Sequence, residues 1–216
     1  MKFINNLVVL FTLSTSFICS ANIIFINEIH YDNKGTDTNE FIEIAGQAGH
    51  NLNGWSIELY NGSGGARYGD IINLSGVLSD DNNGLGFAAF FPSYIQNGSP
   101  DGLALINDVG KVIQFLSYEG VITATNGAAN GMVSTDIGVS ESGKTTADNF
   151  SLQLMGYGNH YQDFTWRAAE HSKGFINKQQ RILPTVSTIT VSEPGSLILL
   201  CFALLVLSSQ CKQFNA

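Results

Sequence analysis

Acidic side chains near the start of the central region are the residues whose types and spacing could do chemistry. Glu28, His30 and Asp32 alternate along an extended segment and therefore share one of its faces. A turn at residues 33–35 could fold Glu40 back toward them. Hard cations such as Ca²⁺ prefer several carboxylate and carbonyl oxygens. The pattern allows a divalent-cation site with Glu28, Asp32 and Glu40 as candidate ligands, or a solvated strand face with side-chain turn bonds from Asp32.

Residues 138–145, Gly-Val-Ser-Glu-Ser-Gly-Lys-Thr, fit the phosphate-loop pattern letter for letter. A working phosphate loop follows a buried strand and opens a helix, whose N-terminus meets the phosphates. Residues 150–154 instead alternate like a strand. We therefore predict a surface loop rather than a nucleotide site.

The remaining candidates for catalysis do not form a complete site. The four histidines, at positions 30, 50, 160 and 171, lack the close spacing of metal ligands, and the central region has no cysteine for a closed zinc site. No nucleophile-elbow sequence surrounds a serine. We predict no catalytic residues and no bound cofactor, with Ca²⁺ at the acidic face as the alternative.

Short runs of alternating or β-branched residues supply the elements that must position these side chains. Trp55, Ile57 and Leu59 alternate with polar or amphipathic neighbours, which places one face on a core and the other in water. Gly- and Asn-rich turns separate the runs. We expect an all-β sandwich of about seven to nine strands between residues 23 and 170, with Trp55, Ile57, Leu59 and Phe115 inward. The candidate strands cover residues 23–29, 40–45, 55–60, 87–91, 102–106, 112–117, 151–155 and 164–168.

Charge argues against one class of partner. The chain has 18 acidic and 10 basic residues, for a formal net charge of −8 at pH 7. Its Lys and Arg residues do not cluster, whereas binding to nucleic acid needs such a cluster for phosphate contacts. We therefore expect no direct nucleic-acid binding. All three cysteines lie in the end segments, so the central domain must rely on its hydrophobic core rather than on disulfides.

The N-terminal segment has the order of a signal peptide. Lys2 gives a short positive region, residues 7–13 are almost wholly apolar, and small residues lead to a cleavage site after Ala21. The alternatives are a buried first strand or helix and a lipid anchor on Cys19. We favour export because a strand-like run begins directly after Ala21.

A second apolar segment lies near the C-terminus. Residues 197–207 are apolar on every face of a helix, Glu193 precedes them and Lys212 follows them. We predict one helix over residues 195–209, which would enter a membrane, with residues 183–191 as an extended tether. The alternative is a terminal strand or helix packed on the domain.

Several runs, taken in order, resemble the bacterial lamin tail domain. They are INEIHYDNKGTDTNEFIEIAG, LNGWSIELYNGSGG, SPDGLALINDVGKVIQFLSYEG, STDIGVSE, SLQLMGYG and FTWR, within residues 23–180. The resemblance implies an immunoglobulin-like β-sandwich. In bacteria such domains often accompany secreted nuclease or phosphatase domains, and they are regarded as adhesion or targeting modules.

The tail VSEPGSLILLCFALLVLSSQCK resembles a PEP-CTERM sorting signal, which combines a Pro-Glu-Pro motif, a hydrophobic helix and a basic end. Ser192, Glu193 and Pro194 match two of the three motif positions, and Lys212 supplies the basic end. The resemblance implies recognition by an exosortase, a membrane enzyme that processes such tails near the motif.

Together these features predict four segments: a signal peptide (1–21), a lamin-tail-like β-sandwich (22–182), a tether (183–191) and a sorting tail with a hydrophobic helix (192–216). The expected function is that of an exported, non-catalytic binding or adhesion module of the cell envelope, anchored in the membrane at least transiently. An extracellular metal-dependent hydrolase and a structural matrix protein are the alternatives.

Overall fold

Strands and turns account for nearly all the regular structure in the part of the chain that the structure describes. The computed structural model describes residues 24–184. The predicted signal peptide with its expected cleavage site at Ala21, the predicted C-terminal helix and the predicted sorting motif at Ser192, Glu193 and Pro194 lie outside the described residues. Within residues 24–184, the only helical element is the 3-10 turn Tyr161–Asp163, and no helix there is long and apolar enough to cross a membrane.

Eleven strands form in the described part of the chain, and most are rich in the β-branched and aromatic side chains that pack well on a pleated surface. They are β1 (Ile24–His30), β2 (Phe41–Gln47), β3 (Ser56–Asn61), β4 (Arg67–Asn73), β5 (Leu85–Phe90), β6 (Asp101–Ile106), β7 (Val112–Tyr118), β8 (Thr135–Asp136), β9 (Phe150–Gly158), β10 (Phe164–Glu170) and β11 (Gln180–Ile182). Strands β4, β8 and β11 correspond to none of the predicted runs. Ten strands lie between residues 24 and 170, one more than the upper expected number, and β8 among them has only two residues.

The strands build two sheets, which confirms the all-β, two-sheet prediction. In the first sheet the order is β10-β9-β1-β2-β5, and β11 adds to β9 in parallel. In the second sheet the order is β4-β3-β6-β7-β8, and β8 runs parallel to β7. The other strand pairs in the described residues are antiparallel, so connections between neighbouring strands collect at the two ends of the sheets.

The main core lies between the sheets. Ile42 and Ile44 of the first sheet belong to one buried cluster with Ile57 and Leu59 of the second. Trp55, Ile57 and Leu59 are inward, as predicted, because alternation keeps all three on one face. Burying an apolar side chain of this size contributes about 1.5–3 kcal/mol relative to exposure, so this layer supplies the main stabilisation of the domain.

Phe115 is buried, but the expectation that it faces the other sheet is wrong. It belongs to a second apolar cluster with Tyr60 and Ala104, whereas its neighbour Leu116 belongs to the main core. Adjacent residues of a strand point to opposite faces, so Phe115 lies on the outer face of the second sheet. Apolar side chains from residues 119–134 cover it there.

The outer face of the first sheet is covered as well. Strand β1 is buried along its whole length and β2 along all but its last residue, although alternation in residues 40–45 predicts one face in water. Residues 171–179, between β10 and β11, lie over this face and donate hydrogen bonds to Glu28 and Glu43. The expectation of a solvated face is therefore wrong for β1 and β2, because a later segment of the chain takes the place of water.

Candidate functional site

Several connections meet at one end of the sandwich, which we call the loop end. The register pairs His30 with Phe41 and Ile42 with Phe90. The connections that follow β1 and β5 therefore leave the first sheet at the same end of its strands. The segment before β9 reaches this side too, because Leu152 pairs with Ile29. The loop end comprises residues 31–40, 91–100 and 138–149. Loops held by rigid strands are a common location for binding residues.

A buried carboxylate holds two of these loops together. Glu141 Oε2 accepts hydrogen bonds from the backbone N–H groups of Tyr31 at 2.6 Å and Asp32 at 2.9 Å. Its Oε1 lies 2.8 Å from His30 Nδ1. In return, the backbone N–H of Glu141 donates to the Tyr31 hydroxyl at 2.8 Å. Because the Glu141 side chain is buried, these four contacts attach residues 138–149 firmly to the end of β1.

The same carboxylate sets the charge of His30. Burial alone would lower the pKa of this imidazole, but its hydrogen bond to Glu141 and the negative charge of that group hold the pKa above 6.5. An imidazolium that donates to a carboxylate is the arrangement that these two effects favour. The side chains of His30 and Glu141 are almost wholly excluded from water, so this pair stabilises the fold of the loop end.

The phosphate-loop pattern at residues 138–145 forms a loop that no helix follows. The Glu141 carboxylate lies in the middle of the pattern, where it would repel a phosphate. The structure confirms the predicted loop at these residues. The loop is not confined to the surface, however, because Glu141 is buried. No sequence signal marks Glu141, since an acidic residue in a polar loop is most often solvated.

The three candidate metal ligands lie in different surroundings. Glu28 accepts hydrogen bonds from two serines under the covered face of the first sheet. Glu40 accepts the backbone N–H of Ile95 at 2.6 Å. Asp32 is buried, and its Oδ1 has no hydrogen-bond partner within residues 24–184. The structure does not bring all three together, because Asp32 lies near Glu40 whereas Glu28 is held by the two serines under the covered face. No group of three or more His, Cys, Asp or Glu side chains in this part of the chain is arranged to hold a metal ion.

A pair of carboxyl groups is buried under residues 171–179. Glu28 and Glu43 lie opposite each other on β1 and β2, and neither is exposed. Glu43 accepts hydrogen bonds from Asn27 Nδ2 at 2.8 Å and from the N–H of Gly174 at 2.5 Å. Burial, and then the nearby charge of Glu28, raise the pKa of Glu43 to about 8. Glu43 is therefore mostly protonated at neutral pH, and the pair carries at most about one negative charge.

Asn177 completes the covered face. Strand β1 has a bulge between Ile26 and Glu28, and its pairing with β9 does not extend past this point. Asn177 Nδ2 donates to the backbone carbonyls of Asn27 at 3.3 Å and Leu154 at 2.8 Å. Its side chain thus satisfies carbonyl groups that lack a ladder partner at the bulge.

A groove of about 580 Å³ opens at the loop end. Residues 36–40 and 91–97 line it, and we call it the loop groove. Asn97 Nδ2 donates to Asp37 Oδ2 at 3.1 Å and so joins the two lining segments. Pockets that bind small ligands span about 300–1,000 Å³, so the loop groove is of ligand size.

The loop groove is acidic. Burial raises the pKa of Glu40 and of the adjacent Asp32, and the charge of Asp37 adds to both increases. The backbone N–H of Ile95 opposes the increase at Glu40 because it stabilises the carboxylate. Three carboxyl groups therefore lie at or beside one concave surface.

The buried carboxyl groups predict that the protein is more stable in mild acid. Glu43 has a pKa of about 8 in the folded state against an ordinary value of 4.5, so the folded state keeps a proton that the unfolded state releases between these values. Its contribution is complete below about pH 4.5 and is lost as the pH rises to about 8. The raised pKa of His30 acts in the same direction above pH 6.5. We expect the free energy of unfolding in urea to fall between about pH 5 and pH 8, with Glu43 contributing up to about 1.4 kcal/mol per pH unit.

The control for this pH dependence is a carboxylate at the other end of the sandwich. Glu43→Gln should remove the part of the slope that Glu43 contributes. Asp108→Asn, in the exposed turn between β6 and β7, should retain it. A Glu43→Gln protein with the full slope of the unaltered chain would show that Glu43 does not hold the proton.

Removing the Glu141 carboxylate should detach residues 138–149 from β1. Glu141→Ala leaves two backbone N–H groups and His30 without their acceptor, so the free energy of unfolding should fall by about 3–5 kcal/mol. Lys144→Ala, an exposed change in the same loop, should stay within about 0.5 kcal/mol of the unaltered chain. Urea unfolding at pH 6 measures both variants, and equal stability of the two would contradict the role given to Glu141.

The chain was compared with protein-family models, with curated proteins and with solved structures, and none of the three comparisons found a match. Function is therefore inferred from the chemistry of the loop end.

Proposed function

We propose that this chain is an exported, non-catalytic binding or adhesion module of the cell envelope, and that it binds through its loop end. The observation that carries this proposal is the loop groove, a concave surface of ligand size between residues 36–40 and 91–97. In a β-sandwich, two rigid sheets let the loops at one end form a binding surface.

Contacts with the second sheet hold one wall of the groove. The backbone N–H of Gln96 donates to the Tyr68 hydroxyl at 2.8 Å, and the Tyr118 hydroxyl donates to the Gln96 carbonyl. Tyr118 in turn stacks on Tyr31, with ring centroids 3.9 Å apart. A surface that is ordered before it meets a partner loses little conformational entropy on binding, which favours a binding role for this wall.

The finer fold assignment, an immunoglobulin-like and lamin-tail-like sandwich, belongs to the same proposal. It is supported by the positions of the runs that resemble the lamin tail domain. The first run contains most of β1 and β2, the second contains β3, and the third contains β6 and β7. The resembling runs thus carry strands of both sheets.

Export and sorting complete the proposal. The signal-peptide pattern that ends at Ala21 supports passage across the inner membrane. The tail with Ser192, Glu193 and Pro194 supports recognition by an exosortase-type enzyme, with the apolar segment 197–207 as a membrane anchor, at least transiently. The domain would then act in the cell envelope or at the cell surface.

Binding through the loop end predicts saturable association with envelope material. The labelled full chain should sediment with envelopes prepared from producing cells that lack its gene, and an excess of unlabelled chain should displace it. Ser93→Trp, which places a large ring in the loop groove, should abolish most of this sedimentation. Val109→Trp, in the exposed turn between β6 and β7, should leave it unchanged. Sedimentation that does not saturate, or that both variants retain, would refute binding through the loop end.

Recognition of the tail predicts that Glu193 and Pro194 are needed for processing. Changing both residues to Ala in the full chain should leave the unprocessed precursor in the inner-membrane fraction. Changing Thr188 and Thr190 to Ala, in the predicted tether, is the matched control and should permit normal processing. Immunoblots of fractionated cells distinguish the two forms by size. Normal processing of the Glu193 and Pro194 variant would argue against this sorting route.

A further inference from the structure

Two exposed aromatic rings line the loop groove. Phe91 and Tyr94 are 66% and 47% exposed, although large apolar rings are stabilised by burial. A further ring lies close to each of them. The ring centroids of Phe91 and Phe41 are 6.5 Å apart, and those of Tyr94 and Tyr68 are 5.7 Å apart. These neighbours support the two rings while their other surfaces stay open to solvent.

The opposite wall of the groove is polar. Thr36, Thr38 and Asn39 line it, and their side chains make no hydrogen bonds to other groups within residues 24–184. Asn39 has a backbone φ of 60°, in the left-handed region that Asn adopts more readily than most residues. Ser93 adds a hydroxyl on the aromatic side. Four polar side chains without hydrogen bonds to other groups in this part of the chain therefore line the same groove as the two rings.

We propose that the loop groove binds a neutral glycan chain, an inference that rests on the binding function proposed above. A pyranose ring has faces of C–H groups and a rim of hydroxyl groups. The C–H faces stack on the rings of Phe91 and Tyr94, whose π faces carry partial negative charge. The hydroxyl groups pair with Thr36, Asn39 and Ser93. A purely apolar ligand would leave the polar wall unpaired, and a purely polar one would gain nothing from the rings.

The charge of the groove selects against anionic polymers. Asp37 and Glu40 line it, and none of the residues that line it is Lys, Arg or His. These carboxylates repel uronate, sulfate and phosphate groups. Both oxygens of Asp37 already accept hydrogen bonds, and one oxygen of Glu40 does so. These bonds let the two carboxylates hold the walls of the groove. The hydroxyl and amide side chains that line the groove beside two exposed rings are what favour an uncharged, hydroxyl-rich ligand over a cationic peptide.

Affinity electrophoresis tests this inference on the full chain in a non-glycosidic detergent. The probes are soluble neutral glucans, mannans, xylans and galactans in native gels, with alginate as the anionic probe. We expect at least one neutral polysaccharide to retard the chain and alginate not to do so. Phe91→Ala and Tyr94→Ala should each weaken the retardation about tenfold, because each removes one stacking ring. Both side chains are exposed, so the variants should keep the fold, which circular dichroism checks.

Tyr157→Ala is the matched control, since Tyr157 is 64% exposed and lies at the C-terminal end of β9, away from the loop end. It should bind as the unaltered chain does. Retardation by none of the neutral probes, or equal retardation of the Phe91, Tyr94 and Tyr157 variants, would overturn the inference. So would calorimetric binding of a lysine-rich peptide that Asp37→Asn abolishes, without any glycan binding.

Failure of the glycan inference can be separated from failure of the binding function. Saturable binding to envelopes that Ser93→Trp abolishes, without retardation by a neutral polysaccharide, would overturn the glycan inference alone. Loss of both results would refute the binding function and the glycan inference together. Retardation that the Phe91 and Tyr94 variants reduce, with the Tyr157 variant unaffected, would support both.

Discussion

The buried carboxylate of Glu141 organises the loop end. Strand β1 ends at His30, and the next backbone N–H groups, those of Tyr31 and Asp32, donate to this carboxylate. A buried N–H without an acceptor costs about 1–3 kcal/mol, so an acceptor is needed where β1 leaves its neighbours. The chain supplies it from 110 residues downstream of Tyr31. The contacts of Glu141 thus hold the backbone where β1 ends and attach residues 138–149 to it, at the start of the turn that becomes a wall of the loop groove.

A second constraint comes from the burial of the first sheet on both faces. An antiparallel sheet commonly leaves one face in water, and β1 and β2 keep the acidic residues of such a face. Residues 171–179 replace the water with N–H and hydroxyl donors to Glu28 and Glu43. Two carboxylates in these surroundings cannot both ionise without a large cost, so a proton stays on the pair. The covered face is therefore satisfied by hydrogen bonds but sensitive to pH.

Local pattern alone was enough to locate most strands and one face of the core. Eight predicted runs lie on strands, because a period of two is a property of the extended backbone and needs no knowledge of what lies beyond it. Trp55, Ile57 and Leu59 follow from the same alternation. Alternation does not predict strand β4, because its pairing register with β3 is interrupted between Tyr68 and Ile72. The acidic segment around Glu40 lines a groove, and its sequence pattern does not show this because the other wall comes from residues 91–97.

Only the tertiary structure decides that other segments of the chain cover the outer faces of the two sheets. Phe115 and Leu116 are both apolar, and their sequence does not say which of them faces the other sheet. Glu43 alternates with apolar neighbours as a solvated residue would, yet its donor Gly174 lies 131 residues away. The residues next to Glu141 in sequence do not predict its burial, because its hydrogen-bond partners lie on β1 and just beyond it. Alternation indicates that the two faces of a strand differ. Burial, however, depends on contacts between distant segments, and only their packing determines whether a face meets water or protein.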